Sequence, residues 1–415
     1  MNLRQAEDYL LGLELFGMRF GLDRMRKLTT ALGTPQRRFD AVQVLGTNGK
    51  TSTTRMIAAI LRAHGLRAGS YTSPHLRSFC ERIEIDGRPV GDAEFAAAVA
   101  RAAHAVELLE RTLDEDERVT QFEALTAAAY HELARAGVEV AVVEAGLGGR
   151  YDATSVIAAP VCVLTGVDLD HTRWLGSTIE AIAEEKLAVV PEGGVLVTGQ
   201  LDPEAERVAE RVVRERGARR VRAPDSPPAD EARALRPLGA FQRRNLALAR
   251  AAAEAYLGRP LKGARVCEAA SALELPGRLQ VVASDPLTVY DGAHNPAGAR
   301  ALRAALGELL GGRALTGVFS VLDDKDASAI LAELLPLCER AVYSACSNPR
   351  ALSPATLEAL AEKLDGPPAE TASDPERALE RARELAGPSG AVLAAGSIYL
   401  IADLVREPGA ARSII

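Results

Sequence analysis

A glycine-rich turn between an apolar run and a helix-forming run is the feature of this sequence that most restricts its fold. Residues 41–45 (AVQVL) form a short apolar run, residues 46–52 read GTNGKTS, and residues 56–61 (MIAAIL) have helical character. A strand, a glycine loop and a helix in this order gather backbone N–H groups around a phosphate, and Lys50 adds positive charge. The strict pattern GxxxxGK[ST] fails, because Val44 stands where its first glycine belongs. We predict a phosphate-binding loop; the alternative is a structural turn with a solvated lysine.

Short apolar runs alternate with Ala/Leu/Glu/Arg-rich stretches of helical period along the rest of the chain. This alternation is typical of βαβ units around a parallel sheet and predicts an α/β fold. Predicted strands are 41–45, 138–143, 161–165, 194–198, 287–290, 315–319, 341–344 and 391–394, and predicted helices include 50–64, 122–136, 178–189 and 242–256. Residues 223–231 (APDSPPADE) are rich in proline and acid, so we predict a surface loop there.

The length of 415 residues predicts two domains, because a single core rarely extends over so long a chain. We place the boundary near residues 275–285, where Pro276 and Gly277 break a helix-like segment and a second set of strands and helices begins. No fixed-period repeat is visible.

The composition of the chain indicates which kinds of molecule it binds. A net charge of −7 argues against a duplex-binding surface. The first eight residues include the acids Glu7 and Asp8 where a signal peptide would be basic, and no apolar run reaches the roughly 18 residues of a membrane span. The five cysteines are scattered singly, so neither a disulfide framework nor a zinc site is indicated. We therefore expect small-molecule substrates, no nucleic-acid or membrane partner, a monomer and a cytoplasmic location.

Polar residues follow three of the predicted strands, at the edge of a parallel sheet where ligands bind. Glu144 follows the first of these strands, Asp170 and His171 follow the second, and Asp291 follows the third. A carboxylate in such a place can hold magnesium against nucleotide phosphates. The structural alternatives are a loop acid for Glu144 and a satisfied structural imidazole for His171.

Lysine is rare in this arginine-rich chain and occurs only at positions 27, 50, 186, 262, 325 and 363. Lys186 lies on a predicted helix lined by Ala, Ile and Leu, so its structural alternative is a surface lysine that extends to solvent.

With these motifs in place, the sequence resembles the folylpolyglutamate synthase/dihydrofolate synthase family of the Mur ligase superfamily over nearly its whole length. The motifs that carry the resemblance are 46–52 (GTNGKTS), 71–76 (YTSPHL), 81–85 with Gly87, 120–123 (TQFE), 144–154 (EAGLGGRYDAT), 170–176 (DHTRWLG), 183–186 (AEEK), 276–279 (PGRL), 291–296 (DGAHNP), 324–326 (DKD) and 396–399 (GSIY). The phosphate loop is shared by Mur ligases in general, whereas the SPHL, GGRYDAT and DGAHNP motifs together are similar to the folate branch.

The resemblance implies an α/β protein with two domains. The first, 1–278, would be the ATP-binding Mur-ligase-type domain with a phosphate loop and a sheet rich in parallel strands. The second, 279–415, would be a smaller Rossmann-like glutamate ligase domain.

The resemblance also implies roles for individual residues. Catalytic roles fall on Lys50, Glu144, His171 and Lys186, with Lys186 carbamylated. Nucleotide contacts fall on Asn48, Gly49, Lys50, Thr51, Ser52, Asn245, Arg278, Asp291 and His294. The pterin pocket falls on Thr120, Gln121, Phe122, Glu123, Tyr151, Asp152 and Ala153. Two magnesium ions are implied, one held by Ser73 and Glu144 and the other by His171; ATP is the nucleotide, and a monovalent cation is a further candidate.

Several positions depart from the family pattern. Thr51 stands where the folate branch often has glycine, Tyr151 replaces a leucine and Ser155 replaces an asparagine. The usual glycine of the EKAG motif is absent after Lys186. The exchange at Tyr151 changes the expected contacts to the pterin.

The implied reaction is ATP-dependent ligation of L-glutamate to dihydropteroate, to tetrahydrofolate-glutamates or to both, through an acyl phosphate. The TQFE motif and the intact Asp152-Ala153 pair favour an enzyme that accepts both. One rival is a cell-wall Mur ligase, which would require a uridine-binding domain before the phosphate loop. Another rival is a nucleotide-binding module that performs no ligation.

Overall fold

The computed structural model describes residues 1–14, 21–114 and 117–406. Two compact units emerge from the contacts within the chain. The first unit contains Met1–Pro74, Phe79–Leu235 and Arg243–Leu273, and the second contains His75–Ser78, Arg236–Gln242 and the residues from Glu274 onward. The limits predicted from the sequence, 1–278 and 279–415, stay a prediction about functional domains.

Strands and helices alternate along the described residues, as the sequence predicts. The strands are β1 Asp40–Leu45, β2 Ala68–Tyr71, β3 Ile83–Ile85, β4 Arg88–Pro89, β5 Val140–Glu144, β6 Val161–Leu164, β7 Val195–Thr198, β8 Arg219–Arg222, β9 Gln280–Ser284, β10 Leu287–Tyr290, β11 Leu315–Phe319, β12 Arg340–Tyr343, β13 Ala369–Thr371 and β14 Ala391–Ala395. The helices are α1 Leu3–Leu11, α2 Asp23–Ala31, α3 Lys50–Ala63, α4 Asp92–Glu110, α5 Gln121–Arg135, α6 Thr172–Leu175, α7 Ile179–Leu187, α8 Pro203–Glu215, α9 Ala229–Ala234, α10 Ala240–Leu257, α11 Gly263–Ala272, α12 Pro296–Leu310, α13 Ala327–Leu334, α14 Pro354–Glu362, α15 Pro375–Ala386 and α16 Ile398–Val405. The α/β class is confirmed.

The sheet of the first unit has the order β4-β3-β2-β5-β1-β6-β7-β8. Strands β2, β5, β1, β6, β7 and β8 run parallel to one another, whereas β3 pairs antiparallel with both β2 and β4 at one edge. The central strands β1, β5 and β6 are apolar and almost wholly buried, as expected for strands covered on both faces. Their pairing sets Val44 beside Glu144 and Leu45 beside Leu164, so all three strands end at the same edge of the sheet.

The sheet of the second unit has the order β13-β12-β11-β14-β10-β9. Strands β10 to β14 run parallel and β9 closes one edge as an antiparallel strand. One face packs against α12, α13 and α14, and the other packs against α15 and α16. The return of β14 between β10 and β11 gives the doubly wound arrangement of a Rossmann-like domain.

The predicted surface loop 223–231 is wrong in its last residues. Helix α9 begins at Ala229, and the side chain of Glu231 is buried on it, where it pairs with Arg250 of α10 at 3.2 Å. The proline and the acids of this run mark the start of a helix: Pro228 directly precedes α9, and Asp230 and Glu231 lie in its first turn.

Among the described residues, no helix is both long enough and apolar enough to cross a membrane.

Candidate active site

The phosphate loop joins β1 to α3, and two of its glycines adopt conformations that other residues avoid. Gly46 has a φ of +144° and Gly49 a φ of +82°, and Gly49 directly precedes α3, which begins at Lys50. A Cβ at position 49 would lie 2.8 Å from Oδ1 of Asn245, so Asn245 closes on the loop from α10. The turn presents the open N-terminus of a 14-residue helix, which is a site for anions.

The loop is fastened to the segment that follows β6. The Thr47 N–H donates to the carbonyl of Gly166 at 3.0 Å, and the Asp168 N–H donates to the Thr47 hydroxyl at 3.0 Å. The Thr165 hydroxyl contacts the carbonyl of Asn48 at 2.6 Å. Thr47, Thr165 and Asp168 were not among the predicted site residues. Thr165 could have been recognised by its position directly after a buried strand beside the glycine loop.

Two lysines donate to one carbonyl of the loop. Lys50 Nζ lies 3.2 Å from the Gly46 oxygen and 3.2 Å from the Thr47 oxygen. Lys186 Nζ reaches the same Gly46 oxygen from α7 at 2.9 Å. The side chain of Lys186 is only 4% exposed. Burial, and after it the charge of Lys50, lower the pKa of Lys186 to about 7, so near neutral pH much of it is a neutral, nucleophilic amine.

Glu144 ends β5 and is 2% exposed. Its Oε1 accepts a hydrogen bond from the Thr51 hydroxyl at 3.0 Å, and its Oε2 accepts one from the Ser73 N–H at 3.1 Å. Ser73 therefore meets Glu144 through its backbone. Ser52, one residue after Thr51, is buried against the interior of the unit.

His171 lies at the end of the segment that follows β6. It has a φ of +51°, precedes the short helix α6, and its side chain is 40% exposed. Its Nε2 lies 3.9 Å from Oδ1 of Asp170, which also accepts the His171 N–H. The charge of Asp170 acts on Lys186 as well, and it favours the protonated amine. Asp170, predicted together with His171 at this strand end, thus interacts with both His171 and Lys186.

The side-chain atoms that could bind a metal ion at the ends of β5 and β6 are oxygens, together with the imidazole of His171. Over residues 1–14, 21–114 and 117–406, no three His, Cys, Asp or Glu side chains form a cluster that could hold a metal ion. Magnesium, however, is commonly held by one or two protein oxygens together with the phosphates of a bound nucleotide. The pairing of the Thr51 hydroxyl with the Glu144 carboxylate beside a phosphate loop fits that mode of binding.

The loop 145–154 rests on the end of α7 that carries Lys186. A Cβ at Gly149 would lie 2.6 Å from the carbonyl oxygen of Lys186, and the Arg150 N–H donates to the carbonyl of Glu185 at 3.0 Å. Only a glycine at position 149 permits this close approach.

Asp152 organises the same loop from inside. It is buried and accepts hydrogen bonds from the N–H groups of Leu147 and Thr154, at 2.7 and 3.0 Å, and from the Thr154 hydroxyl. Burial raises the pKa of the Asp152 carboxyl, and these hydrogen bonds oppose that rise. Ala153 is buried beside it, whereas the Tyr151 side chain is 43% exposed.

The TQFE motif caps α5. The Thr120 hydroxyl accepts the Glu123 N–H at 3.2 Å, and the Glu123 carboxylate accepts the Thr120 N–H at 2.9 Å, which is a complete capping box. Glu123 also pairs with Arg24 at 3.1 Å, and the Gln121 amide donates to the carbonyl of Leu10 at 3.0 Å. In these contacts, Thr120, Gln121 and Glu123 cap α5 and connect it to Arg24 and Leu10.

Phe122 is the member of the motif that reaches the loop 145–154. Its ring would lie 2.5 Å from a Cβ at Gly146, and it stacks on Tyr71 with ring centroids 6.2 Å apart. The sequence-predicted pterin residues thus divide into a capping group and a group on or beside the loop 145–154.

In the second unit, Arg278, Asp291 and His294 come together where β10 ends. Asp291 is buried; its Oδ2 accepts the Leu279 N–H at 2.7 Å and its Oδ1 accepts the Ala293 N–H at 2.8 Å. Burial raises the pKa of Asp291, and the charge of Arg278 opposes that rise. The His294 Nδ1 lies 2.9 Å from the Gly292 carbonyl. A Cβ at Gly292 would lie 2.3 Å from Arg278 Nη1, so the arginine lies over this turn.

Comparison with known proteins agrees with this geometry. Residues 44–222 match the family model of the Mur ligase middle domain, and residues 277–398 match that of the Mur ligase glutamate ligase domain. The chain is 38% identical over 381 residues to the dihydrofolate synthase/folylpolyglutamate synthase of Mycobacterium tuberculosis, a match that covers 83% of this chain and 78% of the relative. It is 31% identical over 434 residues to the Bacillus subtilis protein of the same name, with 97% and 98% covered.

A solved structure shows the same likeness in three dimensions. The Mycobacterium tuberculosis folylpolyglutamate synthase complexed with ADP superposes with a TM-score of 0.91 at 34% identity and covers 96% of both chains. The resemblance found from the sequence motifs is confirmed. The chain belongs to the dihydrofolate synthase/folylpolyglutamate synthase family of the Mur ligases.

Proposed function

We propose that this chain uses ATP to join L-glutamate both to dihydropteroate and to tetrahydrofolate-glutamates. The observation that carries the proposal is the convergence of Lys50, Lys186 and Thr51–Glu144 on one phosphate loop. A phosphate loop alone would serve any nucleotide-binding module, whereas a buried second lysine and a carboxylate at the same loop suit phosphoryl transfer to a substrate. The names of both relatives combine the two activities.

The first step activates the acceptor. A carboxylate oxygen of the acceptor attacks the γ-phosphorus of ATP, the bond from that phosphorus to the β,γ-bridging oxygen breaks, and ADP leaves. The N-terminus of α3 and the ammonium of Lys50 offset the charge that the phosphate oxygens carry during the transfer. The product is an acyl phosphate, whose carbonyl carbon is open to attack by an amine.

The second step forms the amide. The neutral α-amino group of L-glutamate attacks the acyl carbon, loses a proton, and the tetrahedral intermediate expels inorganic phosphate. Water must be kept from the acyl phosphate until the amine arrives, because hydrolysis would waste the ATP. The loop 145–154, held by Asp152 and packed on α7, is the part of the first unit that we assign to the acceptor, with Phe122 and Tyr151 at its surface.

We assign one magnesium ion to Glu144, Thr51 and the Ser73 segment, and a second to His171 with Asp170. Magnesium bound there would neutralise phosphate charge and orient the γ-phosphate. A monovalent cation, the monomeric state and the cytoplasmic location stay predictions.

Lys186 is the residue that we expect to be carbamylated. Its neutral amine can attack carbon dioxide, so that an N–C bond forms, a proton leaves and an anionic carbamate results. Such an anion would relieve the crowding of two cations on Gly46 and would place oxygen ligands near the His171–Asp170 pair. NMR of protein equilibrated with carbon-13 bicarbonate tests this, because the carbamate signal must disappear in Lys186→Met.

The test of the function is glutamate-dependent formation of ADP from ATP and magnesium. Dihydropteroate and tetrahydrofolate are supplied separately, with and without potassium. ADP that requires both glutamate and either acceptor supports the proposal. ADP with a UDP-muramyl peptide alone would indicate a cell-wall ligase, and nucleotide binding without any acceptor-dependent ADP would indicate a module that performs no ligation.

A further inference from the structure

Thr165 directly follows β6 and contacts the end of β1 through its backbone and the phosphate loop through its hydroxyl. Its N–H donates to the carbonyl of Leu45 at 2.9 Å, and its hydroxyl lies 3.2 Å from that oxygen and 2.6 Å from the carbonyl oxygen of Asn48. A Cβ at position 46 would lie 1.9 Å from the Thr165 hydroxyl oxygen. Position 46 must therefore be glycine wherever this hydroxyl keeps its place.

The hydroxyl carries one hydrogen, and the distances decide where that hydrogen goes. The Leu45 oxygen already accepts the Thr165 N–H, and the Asn48 oxygen is nearer to the hydroxyl by the two distances above. The hydrogen therefore belongs to the Asn48 carbonyl. In a trans peptide the C=O of one residue and the N–H of the next point in opposite directions. Drawing the Asn48 carbonyl toward Thr165 consequently turns the Gly49 N–H away from β6.

Hydrogen bonds to the segment after β6 also hold the preceding loop residue, Thr47. Thr47 is held on both sides, by the Gly166 carbonyl and by the Asp168 backbone, whose N–H donates to the Thr47 hydroxyl. The Asn48–Gly49 peptide comes next, and Gly49 at a φ of +82° adopts a conformation that other residues avoid. The Thr165 hydroxyl bonds to the carbonyl of this peptide and so restrains its orientation.

We infer that Thr165 is a positioning residue for the nucleotide: it holds the Asn48–Gly49 peptide with its N–H directed toward the phosphates. This inference rests on the proposed function, since it assumes that the loop binds ATP. The same segment continues through Asp168 to Asp170 and His171, so the hydroxyl also ties the phosphate loop to the segment that we assign to the second magnesium ion.

Two variants isolate the hydroxyl. Thr165→Ser keeps it and removes a methyl group, Thr165→Ala removes both, and the two variants differ in the hydroxyl alone. Thr198→Ala is the control, because Thr198 ends the neighbouring strand β7, is fully buried and bonds to Arg220 instead of to the loop. ADP affinity is measured by calorimetry, the KM values for ATP and for the acceptor by steady-state kinetics, and the thermal midpoint by calorimetric unfolding.

We expect Thr165→Ala to weaken ADP binding by about tenfold, which corresponds to the loss of one hydrogen bond that orients the loop. The KM for ATP should rise in parallel while the KM for the acceptor stays unchanged, and Thr165→Ser should restore both affinities. Unchanged ADP affinity in Thr165→Ala overturns the inference, as does equal loss in the serine variant or in Thr198→Ala. If the unmodified protein itself binds no ADP, the proposed function fails, and that result is seen before any variant is measured.

Discussion

Lys50 and Lys186 donate to the same carbonyl oxygen, that of Gly46, at 3.2 and 2.9 Å. Two cations on one acceptor repel each other, and the more deeply buried one loses its proton more easily. Lys186 is that residue, because its pKa falls to about 7 while Lys50 stands at the start of α3. The pair thus gives the loop one cation for phosphate and one amine that can be modified.

Lys50→Ala should remove the cation and lower kcat/KM for ATP by about 100- to 1000-fold, the usual cost of losing one transition-state charge contact. It should also raise the pKa of Lys186 toward its ordinary value, since Lys50 is one of the causes that lower it. The kinetic measurement is ADP release, and Lys27→Ala, at an exposed position of helix α2, is the control. Full activity in Lys50→Ala would contradict the account.

The stability of the protein should rise with pH between about pH 7 and the ordinary lysine pKa of 10.5 because of Lys186. In this window the unfolded chain holds a proton that the folded chain has released, so the free energy of unfolding gains about 1.4 kcal/mol per pH unit. Below pH 7 both states are protonated and the folded state bears the full cost of the buried charge. Lys186→Met should lack this contribution.

Urea unfolding of both proteins in bicarbonate-free buffer, at several pH values from 7 to 10, measures the difference. Parallel curves for the native protein and Lys186→Met would show that the amine is not titrating as proposed.

Glu144→Gln should keep the fold and lose most of the activity. A glutamine can still accept the Ser73 N–H and meet the Thr51 hydroxyl, but it lacks the charge that a magnesium ion requires. We expect about a 100-fold loss in ADP release and half-maximal activity at a higher magnesium concentration. Glu139→Gln, just before the same strand, is the control. An unaltered magnesium requirement in Glu144→Gln would remove Glu144 from the metal site.

Thr120→Ala should destabilise the protein by about 1 kcal/mol through loss of the capping box on α5, and Thr120→Ser should recover most of it. The KM for dihydropteroate should change little, because the Thr120 hydroxyl faces Glu123. Chemical denaturation and initial rates give both quantities. A large rise in KM at unchanged stability would instead make Thr120 a direct contact to the pterin.

The sequence was sufficient for strands β1, β5, β6 and β7 and for the phosphate loop, whereas the internal strand β2 was not predicted. The predicted strand 41–45 is β1 without its first residue, and the glycine turn lies where the motif places it. Buried parallel strands are continuous apolar runs, so their signal is strong. The edge strand β8, Arg-Arg-Val-Arg, was missed, because an edge strand carries charges and is too short for a period to show.

The site could be predicted only as far as its motifs reach. Lys50, Glu144 and Lys186, which the structure brings together at the phosphate loop, could be selected from the sequence because each is an unusual residue in the loop, at a strand end or on an apolar helix. Thr165 was not selected, since threonines are common in loops and its contacts depend on which strands are neighbours. Asp170 was predicted only as the neighbour of His171 at a strand end. The capping role of Thr120 is visible in the pattern TQFE, but the family resemblance drew attention to the pterin instead.

The fate of the acceptor's carboxylate oxygen tests the central claim most directly. Dihydropteroate labelled with a heavy oxygen isotope in its carboxylate is incubated with ATP, magnesium and L-glutamate, and the released phosphate is analysed by mass spectrometry. Ligation through an acyl phosphate predicts one labelled oxygen in each phosphate and an equal amount of amide product. Phosphate that carries oxygen from water alone, with no amide, would show that the site hydrolyses ATP without activating the acceptor and would contradict the account.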